Sequence, residues 1–327
     1  MVGITWLHLS DWHQKTPKFN REIVRDALIR DIDQRTLIDP SLEQVDFIVF
    51  SGDLAYKGDK DEYKAAEEHL LGPLLKATNL MPDRLFFVPG NHDLNRDTVV
   101  EMLPVELQKP LNSEVLVHKW LTNTGKLARV LEPFEAYREF ISNYNNQSTP
   151  DYASIRNFEA GGKNISLLGL NSAWMCARNK DIYEQINDYG YLLIGEPQLY
   201  HALEKIDGAD IRIVVLHHPF DWLAEFDRFR AKTRIRQKCH FILTGHEHCP
   251  EIEVMRGTLG KSVIIPGGAC YNRRIAEHPR YTNAYNFVHL NPDPAHGTVY
   301  LRRWNDTNGK WREDTDSYPD GKFNFSL

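Results

Sequence analysis

Five apolar runs in this chain each end in a short polar motif, and this ordered set constrains the fold more than any other feature. LHLS leads into Asp11 and His13, within LHLSDWHQ. FIVFS leads into Gly52 and Asp53. RLFFVP leads into Gly90, Asn91, His92 and Asp93. IRIVVL leads into His217 and His218, and FILT into Gly245, His246, Glu247 and His248. Short continuous apolar runs bounded by turn residues read as strands buried on both faces, the pattern of a parallel sheet covered by helices. Open α/β sheets present functional residues at the carboxyl ends of their strands. Five such ends meeting in one crevice gather two carboxylates, one amide oxygen and at least three imidazoles. That is the inventory for two metal ions and for metal-assisted hydrolysis of a phosphate ester.

The residue types suit that chemistry. Two divalent ions about 3.5–4 Å apart repel and need a bridging anion. Asp53 can serve as one bridge and a hydroxide as the other. Asp11 and His13, one residue apart, can grip the same ion at a strand end. Asn91 completes a coordination shell without adding charge, and His246 and His248 repeat the one-residue spacing. Mixed nitrogen and oxygen donors favour manganese, iron, zinc, cobalt or nickel over magnesium or calcium. Two divalent ions against two carboxylates and a hydroxide leave a charge of about +1, which attracts an anionic phosphate. Spacing alone leaves open whether His217 or His218 is the ligand.

The 327 residues predict one large domain with an insertion. A formal net charge of −6 disfavours general binding to nucleic acid, though a local basic groove is compatible with it. Four cysteines without a CxxC spacing read as reduced thiols. The amino terminus lacks the features of a signal peptide, and no apolar stretch approaches about 18 residues, so the expectation is a cytoplasmic protein without a membrane span.

Helical periodicity marks residues 19–37 and 60–77 between the first three strands, a β-α-β-α-β start. Residues 98–144 carry several helical segments, including 114–121 and 134–144, with no metal-binding pattern. They read as a helical insertion, either a cap over the site or a layer on the sheet. Strands are expected at 165–170, 211–216, 241–244, 262–265, 284–290 and 297–304, helices at 196–206 and 222–238, and a loop at 143–151. The late strands suggest antiparallel pairing and a mixed sheet.

The ordered motifs D-x-H, G-D, G-N-H-D, a histidine after a strand, and G-H-x-H resemble those of the calcineurin-like metallophosphoesterases. The likeness runs from Asp11 to His248, and the strand and turn at 263–269 (VIIPGGA) fits it too. It implies an αββα sandwich of two mixed β-sheets flanked by helices. It implies Asp11, His13, Asp53 and His248 around one metal, and Asp53, Asn91, His217 and His246 around the other, with manganese the expected ion. His92 would protonate the leaving oxygen and Asp93 would orient it. His217 is selected over His218 because the family's ligand directly follows the strand.

Arg96, His218 and Tyr56 are candidate substrate contacts, and Arg273 and Arg274 could also hold a phosphate. The GDLAYKGDKDEY segment resembles the cyclic-nucleotide phosphodiesterase branch. LHLSDWHQ resembles the opening of exonuclease subunits of double-strand-break repair, and HHPFDWLAEFDR resembles bacterial modules fused into larger signalling or defence proteins. The expected function is therefore hydrolysis of a nucleotide-type phosphodiester by a metal-bridging hydroxide. The alternatives are a nuclease acting on DNA or RNA, for which the basic segment 228–238 is the candidate contact, and a phosphomonoesterase. A non-catalytic scaffold is disfavoured because every ligand position is filled. Nothing in the sequence speaks to oligomeric state.

Overall fold

The computed structural model describes residues 3–15, 19–144, 153–258, 260–271 and 283–327. Arg273, Arg274 and most of the loop expected at 143–151 lie outside the described residues.

Thirteen strands are described, in two sheets. The first has the order β12-β11-β10-β1-β2-β3, with β13 also paired to β11. Here β1 (Ile4–Leu9), β2 (Phe47–Phe50) and β3 (Leu85–Phe87) run parallel. β10 (Ala284–Pro292) lies antiparallel to β1 and continues through β11 (Ala295–Asn305), β12 (Lys310–Glu313) and β13 (Lys322–Ser326). The second sheet has the order β4-β5-β6-β7-β9-β8. Its centre, β5 (Lys163–Leu170), β6 (Ile211–Leu216), β7 (Phe241–Thr244) and β9 (Gly260–Pro266), is parallel. β4 (Ala153–Ala160) and β8 (Glu253–Gly257) close its edges in antiparallel register. Both sheets are mixed, as expected.

Strand alternation sorts the apolar residues into two cores. Ile4 and Trp6 of β1, Phe47 and Val49 of β2, Ile213 and Val215 of β6, and Phe241 and Leu243 of β7 meet between the sheets. Their neighbours Leu7, Leu9, Ile48, Phe50, Val214, Leu216 and Ile242 point outward under the helices. A strand buried on both faces must be apolar throughout, which explains the unbroken runs.

The helices are α1 (Phe19–Asp33), α2 (Lys60–Ala66), α3 (Gly72–Thr78), α4 (Arg96–Glu101), α5 (Glu114–Leu121), α6 (Thr124–Leu131), α7 (Glu135–Ser142), α8 (Glu196–Ile206) and α9 (Glu225–Lys238). A π-turn over Glu67–Leu71 joins α2 to α3 at Gly72-Pro73, where proline has no N–H for the α-helical ladder. Val99, Leu107, Val117, Trp120, Val130, Phe134 and Phe140 of the segment expected to be an insertion are buried in the outer core, together with Trp12 and Tyr63. Phe140 stacks on Tyr63, ring centroids 4.9 Å apart, so α7 packs against the helix that follows the second motif. The edge strands β4, β8, β12 and β13 were not expected from the sequence. β4 is largely half-exposed, β8 is mostly exposed, and neither carries a sustained apolar run.

Candidate metal centre

All five motifs lie at the carboxyl ends of parallel strands: Asp11 and His13 after β1, Asp53 after β2, Asn91 and His92 after β3, His217 after β6, and His246 and His248 after β7. Both sheets therefore feed one crevice.

Asp11, His13 and His248 offer ligand atoms within 4.8 Å of one another, as do Asp11, Asp53 and His217. The same holds for His13, Asp53 and His92, and for His217, His218 and His246. His248 Nε2 is 3.0 Å from Asp11 Oδ1. Asp53 Oδ2 lies 3.4 Å from His217 Nε2 and 3.8 Å from His13 Nδ1. Asn91 Oδ1 is 3.2 Å from His217 Nε2.

The surrounding hydrogen bonds hold one side-chain atom of His217, of Asp11 and of Asp53 and turn another toward the cluster. His217 Nδ1 donates to the Ser51 carbonyl at 2.8 Å, which turns Nε2 toward the carboxylates. Asp11 Oδ2 accepts from the Ser10 hydroxyl at 2.5 Å and from His246 N at 3.1 Å. Asp53 Oδ1 accepts from His92 N at 2.7 Å. His13 Nδ1 is buried without a hydrogen-bond partner among the described residues, and Asp11 Oδ1 faces only ring nitrogens among the contacts described. Orphaned buried acceptors cost free energy unless something satisfies them. With this mixed donor set, the arrangement fits divalent cations.

Charge organises the cluster. Burial pushes Asp11 up, but His248 and His217 outweigh it and hold the carboxyl well below its ordinary range. Burial also opposes ionisation of Asp53, and His217 and His92 again prevail. Burial lowers His217, yet Asp53 and Asp11 raise it to about 9. His13 and His246 are pushed down to about 3, chiefly by burial.

The backbone is strained to achieve this. Asp11, His13, Asp53, His246 and His248 all adopt the left-handed region, with φ of 54°, 50°, 56°, 70° and 53°. Two glycines make room for the ligands. A side chain at Gly52, φ 107°, would strike the His217 ring, and one at Gly90 would strike the Asp53 carboxylate.

Asp93 does not orient His92, contrary to expectation. Its buried carboxylate accepts from the N–H groups of Asp53, Ala55 and Gly90 and from the Tyr63 hydroxyl, at 2.8–3.0 Å. It thereby ties the second motif to the third. Burial, reinforced by Asp53, pushes Asp93 up to about 7. His92 is instead held by the Tyr56 carbonyl, to which Nδ1 donates at 2.8 Å. Tyr56 stacks on His92 at 5.0 Å, and the Lys15 ammonium lies 3.4 Å over the Tyr56 ring. Glu62 fixes this turn by accepting from Tyr56 N and Lys57 N at 3.0 and 2.8 Å.

His218, expected as a substrate contact, is 1% exposed. Its Nδ1 is 3.0 Å from the Ser172 hydroxyl, and its ring lies 4.6 Å from that of His246. It shares a metal-capable group with His217 and His246 and is as buried as His217 and the carboxylates are. Arg96 is exposed at the first turn of α4, and its charge reaches Asp188. Trp222, absent from the sequence expectations, has its ring centroid 4.1 Å from that of His246 and donates from Nε1 to Glu247. A tryptophan five residues past a ligand histidine was the only sequence signal for it. No disulfide joins the cysteines.

Away from the ligands, burial and then the charge of Arg212 push His240 down to about 4, and its Nδ1 accepts from Arg212 N at 3.1 Å. In the unfolded chain a histidine titrates near about 6.5. Between these values the unfolded state binds more protons, so His240 removes stability as pH falls from about 6.5 to about 4. His240→Gln in metal-free protein is expected to flatten the fall of Tm across that window while preserving Tm above it. An unchanged slope would contradict the assignment.

The calcineurin-like phosphoesterase profile matches residues 4–250. The uncharacterized metallophosphoesterase-like protein YydB of Bacillus subtilis is 23% identical over 339 residues. The match covers 100% of this chain and 65% of YydB, so the chain spans just under two thirds of that relative's length. Among solved structures, GAP50 of Plasmodium aligns with a TM-score of 0.48 and 11% identity, covering 100% of this chain and 89% of that one. A putative 5'-nucleotidase from Staphylococcus aureus aligns at 0.43 and 15%, covering 88% and 51%. Among the described residues no helix is long and apolar enough to cross a membrane. With two mixed sheets, five strand-end motifs and a match over most of its length, the chain belongs to the calcineurin-like phosphoesterase family.

Proposed function

We propose that this protein is a two-metal phosphodiesterase acting on a nucleotide-type diester, with manganese as the working ion. The observation that carries this reading is the placement of Asp53. One carboxylate oxygen faces both His13 and His217 while the other is fixed by His92 N, as a bridging ligand requires. Asp11, His13, Asp53 and His248 would hold one ion, and Asp53, Asn91, His217 and His246 the other. When bound, the two cations supply Lewis acidity toward the phosphoryl oxygens.

The chain's own groups do the rest. His92, its ring oriented by the Tyr56 carbonyl, delivers a proton from Nε2 to the leaving oxygen. Tyr56 keeps Lys15 near that ring, where its charge favours an anionic substrate. Arg96 is the candidate for a remote phosphate contact. Residues 98–144 belong to the same single domain in this reading, since the Leu107 carbonyl accepts from buried Arg178 at 2.7 Å.

A site charge of about +1 suits a monoanionic diester better than a dianionic monoester. The basic helix α9 gives little support to a nucleic-acid track. Arg230 and Arg234 pair with Glu196, Arg228 with Asp221, and Lys238 with Asp207.

Protein reloaded with manganese is expected to cleave bis-p-nitrophenyl phosphate with a kcat/KM about tenfold or more above that for p-nitrophenyl phosphate, about 1.4 kcal/mol in transition-state stabilisation. Cyclic nucleotides and single- and double-stranded nucleic acid complete the panel. Polynucleotide binding would weaken by about 0.7–0.9 log units per log unit of salt for each phosphate contacted, against a shallow slope for a nucleotide. Cleavage of the monoester alone would replace this reading with a phosphatase.

A further inference from the structure

The two flanks of the crevice differ in how their aromatic groups are engaged. On the His92 side, Tyr56 is already stacked against His92 and carries the Lys15 ammonium over its ring. On the His246 side, Trp222 is half-buried and has no ammonium or guanidinium over it among the described residues. Its indole sits edge-to-face with His246, centroids 4.1 Å apart, and Tyr189 meets it edge-to-face at 5.4 Å.

This flank is also rigid. Indole Nε1 donates to Glu247 Oε1 at 3.0 Å, and Glu247 lies between His246 and His248. The Trp222 carbonyl accepts from Gly190 N and Leu192 N, and Ala224 N donates to the Leu192 carbonyl. The loop bearing Tyr189 is thus stitched to the segment bearing Trp222. Tyr189, packed against Trp222, is 54% exposed and so presents open aromatic surface. A preorganised aromatic wall held against a metal ligand suits a flat ring attached to the phosphate bound there.

We propose that Trp222 and Tyr189 form the base-binding subsite of this centre, where the heteroaromatic ring of a nucleotide stacks while its phosphate lies at the metal ligands. The proposal rests on the nucleotide reading of the substrate and adds the residues that would select the base. Glu247 then serves as a positioning residue, acting through the indole it holds.

Binding, not turnover, tests it. The probes are the 5'-methylenephosphonate analogues of adenosine and of ribose, whose P–C bond cannot be hydrolysed, titrated calorimetrically into the manganese-loaded 327-residue chain. Base–aromatic stacking is lost on alanine substitution with an effect of about five- to a hundredfold in affinity. The adenosine analogue is therefore expected to bind about tenfold or more tightly than the ribose analogue. Trp222→Ala should bring that ratio close to one, with manganese content and ribose-analogue affinity unchanged, and Trp222→Phe should keep most of it. Tyr189→Ala, at an exposed ring, should lower the ratio by a smaller factor and carries the test if Trp222→Ala does not fold. A ratio near one in the parent protein, or a ratio untouched by Trp222→Ala and Tyr189→Ala, overturns the subsite. If the ratio behaves as expected but the bis ester is not cleaved, the diesterase reading falls and the subsite stands. If the bis ester is cleaved but the ratio is near one, the subsite falls alone.

Discussion

Asp53→Asn is expected to reduce cleavage of bis-p-nitrophenyl phosphate by about 10³-fold or more, about 4 kcal/mol of lost transition-state stabilisation. The substitution is nearly isosteric, and the amide oxygen can still accept from His92 N, so the loop should keep its shape. What disappears is the charge facing His13 and His217 at 3.8 and 3.4 Å. Manganese content after gel filtration should fall from about two equivalents to one or fewer, because both ions share this carboxylate. A variant that keeps two equivalents and most of its rate would show that Asp53 does not bridge. A parent protein that never exceeds one equivalent would defeat the two-metal reading itself.

His92→Ala should separate chemistry from metal binding. A general acid typically contributes about 10²–10⁴-fold. A loss in that range is expected for substrates with poor leaving groups, with both manganese equivalents retained. For p-nitrophenolate, which leaves without protonation, the loss should shrink. The competing role is concrete, because His92 lies in a metal-capable group with His13 and Asp53. If the variant sheds a metal equivalent, or loses rate equally across leaving groups, His92 is a ligand and not the acid.

The sheets were legible because their central strands are unbroken apolar runs, and β6 runs from Ile211 to Leu216 as expected. Strands without such a run escaped notice. β8 is exposed along much of its length, and β4 alternates only weakly, so each depends on its neighbour for its conformation. That these side chains would cluster was legible because one-residue spacings at strand ends are local signals. The supports around the ligands were not. The Ser51 carbonyl under His217 and the Tyr56 carbonyl under His92 are backbone atoms, which every residue has, and only folding assigns them. Asp93 misled for a related reason. Adjacent to His92 in sequence, it points into the backbone of the second motif, which is 40 residues away. Trp222 meets Glu247 across 25 residues, a contact no periodicity encodes.

The left-handed backbone at Asp11, His13, Asp53, His246 and His248 has an evolutionary consequence. Each such residue costs up to about 1–2 kcal/mol that glycine would not incur, offset in part by the roughly 0.5–1 kcal/mol that glycine loses in chain entropy. Exchanging a ligand for glycine therefore relaxes the empty fold even as it removes the chemistry. If the proposed hydrolysis is the function, drift away from it would run downhill in folding free energy, and a descendant that needs only the shape could shed these residues and become sturdier. Selection for the reaction would then be what opposes that slope.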